Sequence, residues 1–336
     1  MRRAALDQNS ERGVGRPVLF VTRPRGGEKF LWGTKEEGLA DYVLEYIGMA
    51  PIADAADSRQ PLVFFTAWFC PFAQRAWIAL EEKGVPYELV ECELYEGDAS
   101  SKVSLSLSEK HRRNPPEFAR ASPFGLVPAL HDPARRDGAY VNESLVCLHY
   151  IDEAFECGPA LMPTDALSRA RIRTAICFFD EKVRPQFYAV LMREGEAGRA
   201  EAVAALNAGW LALAARLAPP EEGPYFLGAE FSAFECAVLP WFQRLEPVLG
   251  HWRGYALPST QPFERWRVWY SACLARPGYS RTRVDRERLI ANYAGYADNR
   301  ATSDAAESTR RSVGAAPPAK RSHCETAQQE GSDPKR

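Results

Sequence analysis

The spacing of apolar positions changes near residue 160, and the change divides the chain. Between Pro61 and Pro159, short apolar runs alternate with stretches of helical period. Leu62 to Trp68 is a continuous apolar run of strand length, 71–83 carries apolar residues at helical intervals and is closed by Gly84, and Tyr87 to Leu94 reads as a second strand. A strand, a short helix and a strand in that order predict a parallel β-α-β unit and an α/β layer. Ala129 to His131 reads as a further strand and Ala139 to Asn142 as the last, across a turn at Arg136 to Gly138; Glu143 and Ser144 then open a helix through Phe155. Beyond Pro159 the period is helical throughout, with helices expected near 166–193, 197–217, 232–249 and 262–275 and a shorter element reaching about Tyr293. Ser232-Ala-Phe-Glu235, ahead of an apolar run and preceded by Phe231, is a capping box with its hydrophobic staple, which is a folding signal.

The flanks read differently. In the first 60 residues, Arg16 to Thr22 fits a short strand and Lys35 to Gly48 a helix, while Asp7 and Glu11 argue against a transit peptide. Residues 95–113 are a polar, serine- and charge-rich insertion of surface-loop character. Residues 299–336, rich in Ala, Ser, Thr, Arg and Pro with few large apolar side chains, read as disordered, and they carry His323 and Cys324. The expected partition is an extension at 1–60, an α/β domain at 61–158, an all-helical domain at 159–298 and a tail at 299–336.

Composition narrows the function. A chain of 336 residues with 46% hydrophobic side chains and a net charge of −2 fits a globular protein and gives no reason to expect a nucleic-acid or membrane surface. Its eight cysteines lack the paired spacings of a zinc site and the density of a secreted disulfide scaffold, so a reducing, cytoplasmic setting is expected. No apolar run reaches the ~18 residues of a membrane span. His111, His131, His149 and His251 show no ligand spacing with the cysteines, and Cys147 and His149 fall on different helix faces, so no metal is expected.

One cysteine stands apart. Cys70 lies where a strand ends and Pro71 begins a helix, which places it at the N-cap. There the unpaired N–H groups and the helix dipole favour an anion, so the expectation is a nucleophilic thiolate near neutral pH, open to alkylation down to about pH 6. Three residues on stands Ala73 rather than a second cysteine. A mixed disulfide on Cys70 would need an external thiol to resolve it, which points to monothiol chemistry with a small thiol co-substrate. Pro128, directly after Val127 and opening a strand, is a candidate for a cis bond.

Cys70-Pro-Phe-Ala-Gln-Arg75, Phe124-Gly-Leu-Val-Pro-Ala-Leu130, Glu143-Ser144 with Tyr150-Ile-Asp-Glu153, and Pro240-Trp-Phe-Gln-Arg-Leu-Glu246 together resemble the glutathione transferase superfamily, in particular its omega class, with the plant lambda class nearly as similar. The resemblance spans residues 61–280. It implies a thioredoxin-like domain with a mixed four-stranded sheet, followed by an all-α domain, usually as a homodimer. It also implies glutathione as co-substrate and thiol transfer to a small electrophilic or disulfide acceptor, including reduction of dehydroascorbate and of glutathione mixed disulfides.

Carried onto matching positions, Cys70 corresponds to the catalytic cysteine, and Phe72 to a residue packed beside the cysteinyl part of glutathione. Val127, ahead of the cis-proline position Pro128, corresponds to the residue whose backbone pairs with the cysteinyl amide. Glu143 corresponds to the partner of the γ-glutamyl ammonium and Ser144 to that of its carboxylate. Trp269 matches a tryptophan near the omega acceptor pocket, with Phe178, Phe179 and Tyr188 as candidate walls; the alternative for each is plain core, the usual place of an aromatic stripe on a helix. One departure concerns the glycine end of glutathione: where omega enzymes place a lysine, this chain has Pro115, with Arg112 and Arg113 as candidates to reach in its place. The alternative from another class is a non-catalytic binding or assembly module, like the transferase-like domains of translation factors or a relative of the chloride intracellular channel proteins.

Overall fold

In the computed structural model of the protein, the described residues are 60–97, 100–135 and 138–313. The expected strand at Arg16 to Thr22 and helix at Lys35 to Gly48 lie outside them. The sheet is built around β1 (Leu62–Thr66), which pairs in parallel with β2 (Tyr87–Glu91) and antiparallel with β3 (Ala129–Asp132), while β3 pairs antiparallel with β4 (Ala139–Asn142). The order β2-β1-β3-β4 makes a mixed four-stranded sheet. An interior strand is covered on both faces, which is why the run carries no alternation. Phe64 faces Trp77 across 6.3 Å and Phe65 faces Phe118 across 5.6 Å, both phenylalanines being buried.

Trp77 belongs to α1 (Pro71–Lys83), and Phe118 to α3 (Pro116–Ala121), which follows α2 (Leu107–Arg113). α1 stops at Gly84, whose φ of +66° is the left-handed C-cap conformation. Beyond the sheet come α4 (Ser144–Ala154), α5 (Ala166–Phe178), α6 (Arg184–Met192), α7 (Glu196–Ala214), α8 (Ala233–Phe242), α9 (Gln261–Leu274), α10 (Pro277–Thr282) and α11 (Arg286–Asn292). Thus an α/β domain with a mixed sheet precedes an all-helical one.

α1 is more than an amphipathic cover on the sheet. It is buried on nearly every side because α4, α8 and α10 pack against it. Its polar residues therefore need partners inside. Gln74 donates to the Thr282 carbonyl at 3.0 Å, Lys83 pairs with Asp152 at 3.3 Å, and Glu82 pairs with Arg276 at 2.5 Å. The bonds to Thr282 and Arg276 tie the α/β half to the helical half, while the Lys83–Asp152 pair joins α1 to α4 within the α/β half.

The single helix expected over 166–193 is interrupted by a π turn at Phe179–Val183, just ahead of α6. Pro185 has no N–H to give, and the ladder is re-registered there. Glu235 of the capping box takes the N–H of Ser232 at 2.9 Å, and with its other oxygen the N–H of Phe226 at 2.8 Å, so the cap also fixes the preceding loop.

Residues 299–313 depart from the expected disorder, while the rest of that stretch, 314–336 with His323 and Cys324, lies outside the described residues. Asp304–Val313 is a helix, α12, packed on α6. Ala301 and Ala306 are fully buried, the Tyr296 and Ser303 hydroxyls meet at 2.6 Å, and Arg310 donates to Asn299 Oδ1 at 3.2 Å and to the Ala301 carbonyl. Small side chains, which composition reads as failing to form a core, here allow close approach to a surface already built.

Candidate active site

Cys70 is the N-cap of α1, with extended backbone at φ −78°, ψ 115°; its N–H donates to the Ala67 carbonyl at 2.8 Å and its carbonyl accepts from Gln74 N–H at 3.0 Å. The buried guanidinium of Arg244 fixes the turn from behind, donating to the Phe69 carbonyl at 3.2 Å and to Gln74 Oε1 at 2.8 Å. The Val127–Pro128 bond is cis, and the Val127 carbonyl lies 3.7 Å from Cys70 Sγ, in reach of the thiol proton.

Cys70, Phe72, Val127, Pro128, Glu143 and Ser144 line one cavity of about 280 Å³. Phe72 stands edge-on to Trp241 at 4.9 Å, with the Arg184 guanidinium 5.3 Å from its ring centre. Glu143, exposed, caps α4 with φ +70°, a strained value for a side-chain-bearing residue that persists only where its surroundings hold it. Ser144 begins α4, so its N–H and those following point at the cavity end where Glu143 supplies a negative charge. One anion beside a cluster of donors is the complement of an amino-acid head group.

Behind Ser144 is an element the sequence reading had only as part of a motif. Arg75, 1% exposed, donates to Ser144 Oγ at 3.2 Å, to the Ala237 carbonyl at 3.0 Å, and to both oxygens of Asp180 at 2.5 and 3.2 Å. Asp180 lies on the π turn, and Oδ1 also accepts from Arg184 at 3.1 Å. Ser144 and Arg184, both on the cavity lining, are thus linked through Arg75 and a single carboxylate.

The expected thiolate is where the structure corrects the sequence. Cys70 is only partly covered, yet burial pushes its thiol above the ordinary value, against the pull of the Ala73 and Phe72 N–H groups and of the Lys102 and Arg244 charges. The apolar walls cost the anion more than the helix end returns. The Val127 carbonyl, 3.7 Å away, is the acceptor the thiol faces.

The acceptor residues divide. Tyr188 is buried and lines the cavity. Trp269 does not: it is fully buried in the helical core, with its indole N–H on Glu235 at 3.0 Å. Phe179 is likewise core, against Trp210 and Trp241, and Phe178 lies under Arg216, away from Cys70. Trp269 and Phe179 follow one rule, that an aromatic on a helix faces the nearest large apolar surface. The wall instead holds Tyr95, Lys102, Tyr293, Tyr296, Ser303, Asp304 and Ser308. These come from the insertion and the chain end, and no motif marked them.

Arg112 and Arg113 do not line the cavity; Arg113 pairs on the surface with Glu93 at 3.6 Å and Glu109 at 3.7 Å. Among the described residues no group of His, Cys, Asp and Glu could hold a metal, and no helix is long and apolar enough to cross a membrane.

Comparison with known proteins agrees with this architecture. Residues 69–154 match the glutathione S-transferase N-terminal domain, and residues 177–282 the C-terminal domain. The chain is 30% identical over 220 residues to protein IN2-1 homolog A of Oryza sativa subsp. japonica, covering 63% of this chain and 79% of that protein. It is 27% identical over 227 residues to glutathione S-transferase omega-1 of Sus scrofa, covering 66% and 80%. The crystal structure of glutathione transferase Omega 3C from Trametes versicolor superposes with a TM-score of 0.58 at 30% identity, over 79% of this chain and 99% of that one.

Proposed function

This chain belongs to the glutathione S-transferase family, and we propose that within it the protein is an omega-like thiol transferase, with Cys70 as the nucleophile and glutathione as co-substrate. The observation that carries this reading is the sharing of one cavity by Cys70, Val127, Glu143 and Ser144 with no other described cysteine along it. A thiol paired with an amino-acid clamp, and without an internal resolving partner, fits monothiol exchange.

In the proposed cycle, glutathione or a glutathionyl group docks by its γ-glutamyl head, ammonium on Glu143 and carboxylate on the start of α4. Its cysteinyl amide N–H takes the Val127 carbonyl, which removes the acceptor that holds the resting thiol proton. Cys70 gives up its proton and attacks, as thiolate, the glutathione sulfur of a mixed disulfide; the old S–S bond breaks, the acceptor leaves as a thiolate that takes up the proton Cys70 released, and a Cys70–glutathione disulfide remains. A second glutathione thiolate attacks that disulfide, giving oxidised glutathione and restoring Cys70. One free glutathione is consumed for each glutathione mixed disulfide reduced, the other half of the oxidised glutathione coming from the substrate, whereas dehydroascorbate, which carries no glutathionyl group, takes two. A homodimer in the cytoplasm is the proposed setting, as for the family.

The test is turnover of a glutathione mixed disulfide and of dehydroascorbate by the protein and by Cys70→Ser. The variant is expected to fall to background, a loss on the order of 10³-fold or more, while still binding glutathione. Unchanged reduction by Cys70→Ser would overturn the assignment.

A further inference from the structure

Glu143 and the start of α4 meet glutathione from the α/β half, which leaves the departing thiol of a mixed disulfide to the helical half. Arg184 comes from there. It is the first residue of α6, and it lines the cavity together with Tyr188, one turn further on. A guanidinium carries five N–H groups. The Arg184 Nε donates to Asp180 Oδ1 at 3.1 Å, and Nη2 donates to the Asp180 carbonyl at 3.0 Å. Nη1 donates to nothing among the described residues, and with the side chain 25% exposed it is open rather than enclosed. Bound along one edge, the guanidinium offers its far end to the cavity: both N–H groups of Nη1 and the second of Nη2. Two parallel donors in one plane match a carboxylate.

The fork is held in place before any ligand arrives. Asp180 stands on the π turn four residues back, and its Oδ1 also takes Arg75 Nη2 at 2.5 Å, with Arg75 buried behind it. The Arg184 guanidinium carbon lies 5.3 Å from the ring centre of Phe72, the second residue after Cys70. A cation fixed by a carboxylate on one side and an aromatic ring on another gives up little rotamer freedom when an anion binds. Its charge is not cancelled either. Two guanidiniums share the one carboxylate of Asp180, so the three side chains together keep a net positive charge. Elsewhere on the lining stand the exposed carboxylates of Glu143 and Asp304, from which an anion turns away.

We propose that Arg184 determines the acceptor, by binding a carboxylate on the departing thiol, so that the preferred substrates are glutathione mixed disulfides of small acidic thiols. The proposal rests on the thiol-transfer reading above. The carboxylate itself takes no part in the exchange; it seats the acceptor while Cys70 attacks the glutathione sulfur. The test uses the full chain and two mixed disulfides of glutathione, one with mercaptopropionate and one with mercaptopropionamide, which keeps the shape and removes the charge. Each kcat/KM is divided by the rate of the uncatalysed exchange with glutathione, which takes out the difference between the leaving thiols. On that scale the native protein is expected to favour the carboxylate about tenfold, the size of a charge-assisted bond. Arg184→Met should bring the ratio near unity, and Arg184→Lys, charged but without the fork, should keep part of it. Asp180 retains both Arg75 bonds in these variants, so a loss at the head-group end falls on both substrates alike and leaves the ratio unmoved. A ratio near unity in the native protein, or one that Arg184→Met leaves unchanged, overturns the proposal while the thiol-transfer reading stands. The second result is also what a contact between Arg184 and glutathione would give, since both substrates carry the glutathionyl group. Failure of the native protein to turn over either disulfide overturns the thiol-transfer reading and this proposal with it. Should Arg184→Met not fold, Arg184→Gln is read against the same two outcomes.

Discussion

Two walls meet at Cys70, and they are made by opposite means. The first wall holds Cys70, Phe72, Val127, Pro128, Glu143 and Ser144, each at the edge of a strand or helix whose limits are set by its neighbours in sequence. The second holds Tyr95, Lys102, Tyr188, Tyr293, Tyr296, Ser303 and Asp304, drawn from a hairpin, a helix interior and the chain end, segments up to about two hundred residues apart that touch only once the body is folded. What is gained from local geometry is the fixed edge proposed to clamp glutathione. What is gained from assembly is a surface that can vary while the clamp stays.

The sharpest way to break this contrast is at Asp180, which holds Arg75 behind the first wall and Arg184 on the cavity lining. Asp180→Ala leaves the Arg75 guanidinium buried and unpaired and releases Arg184, so a stability loss of about 3–5 kcal/mol is expected in urea unfolding. Both glutathione and acceptor KM should rise with it. A loss under about 1 kcal/mol would mean that the walls stand independently.

A smaller and one-sided effect is expected from Glu143→Gln, which keeps the shape and removes the charge. Glutathione KM should rise by roughly tenfold with acceptor KM unchanged, the pattern of a lost charge-assisted bond at the head group. Equal effects on both substrates would blur the division of labour.

The smallest effect concerns the second wall and the thiol. Because burial holds the Cys70 proton more tightly than usual, iodoacetamide should label Cys70 in the free protein with a midpoint above the ordinary ~8.5. Ending the chain after Asn299 removes Ser303, Asp304 and Ser308 from the cavity. Water then reaches the sulfur, so the midpoint should move down toward the ordinary value despite the loss of the Thr302 N–H that holds the Lys102 carbonyl, while acceptor KM rises a few-fold. An unchanged midpoint would detach the chain end from the chemistry.

The sheet, the site helix and the head-group clamp were legible because their signals are local: Pro71 and Gly84 bound α1, Val127-Pro128 opens β3, and Glu143-Ser144 opens α4. Trp269 and Phe179 misled because an aromatic at helical spacing gives no sign of which apolar surface it meets, and here that surface is the core of the helical half. The tail misled for the reverse reason. Ala301 and Ala306 are poor in apolar area by themselves and are buried only because α6 and the Tyr296 ring were already in place.

Sequence alone determined where α1 and α4 begin, and so which residue caps each, since capping is settled within a few residues. Tertiary structure decided the ionisation of that cap and the identity of the second wall. The charge on a sulfur depends on everything that keeps water from it, and for Cys70 that includes a hairpin and a chain end that the sequence places far away.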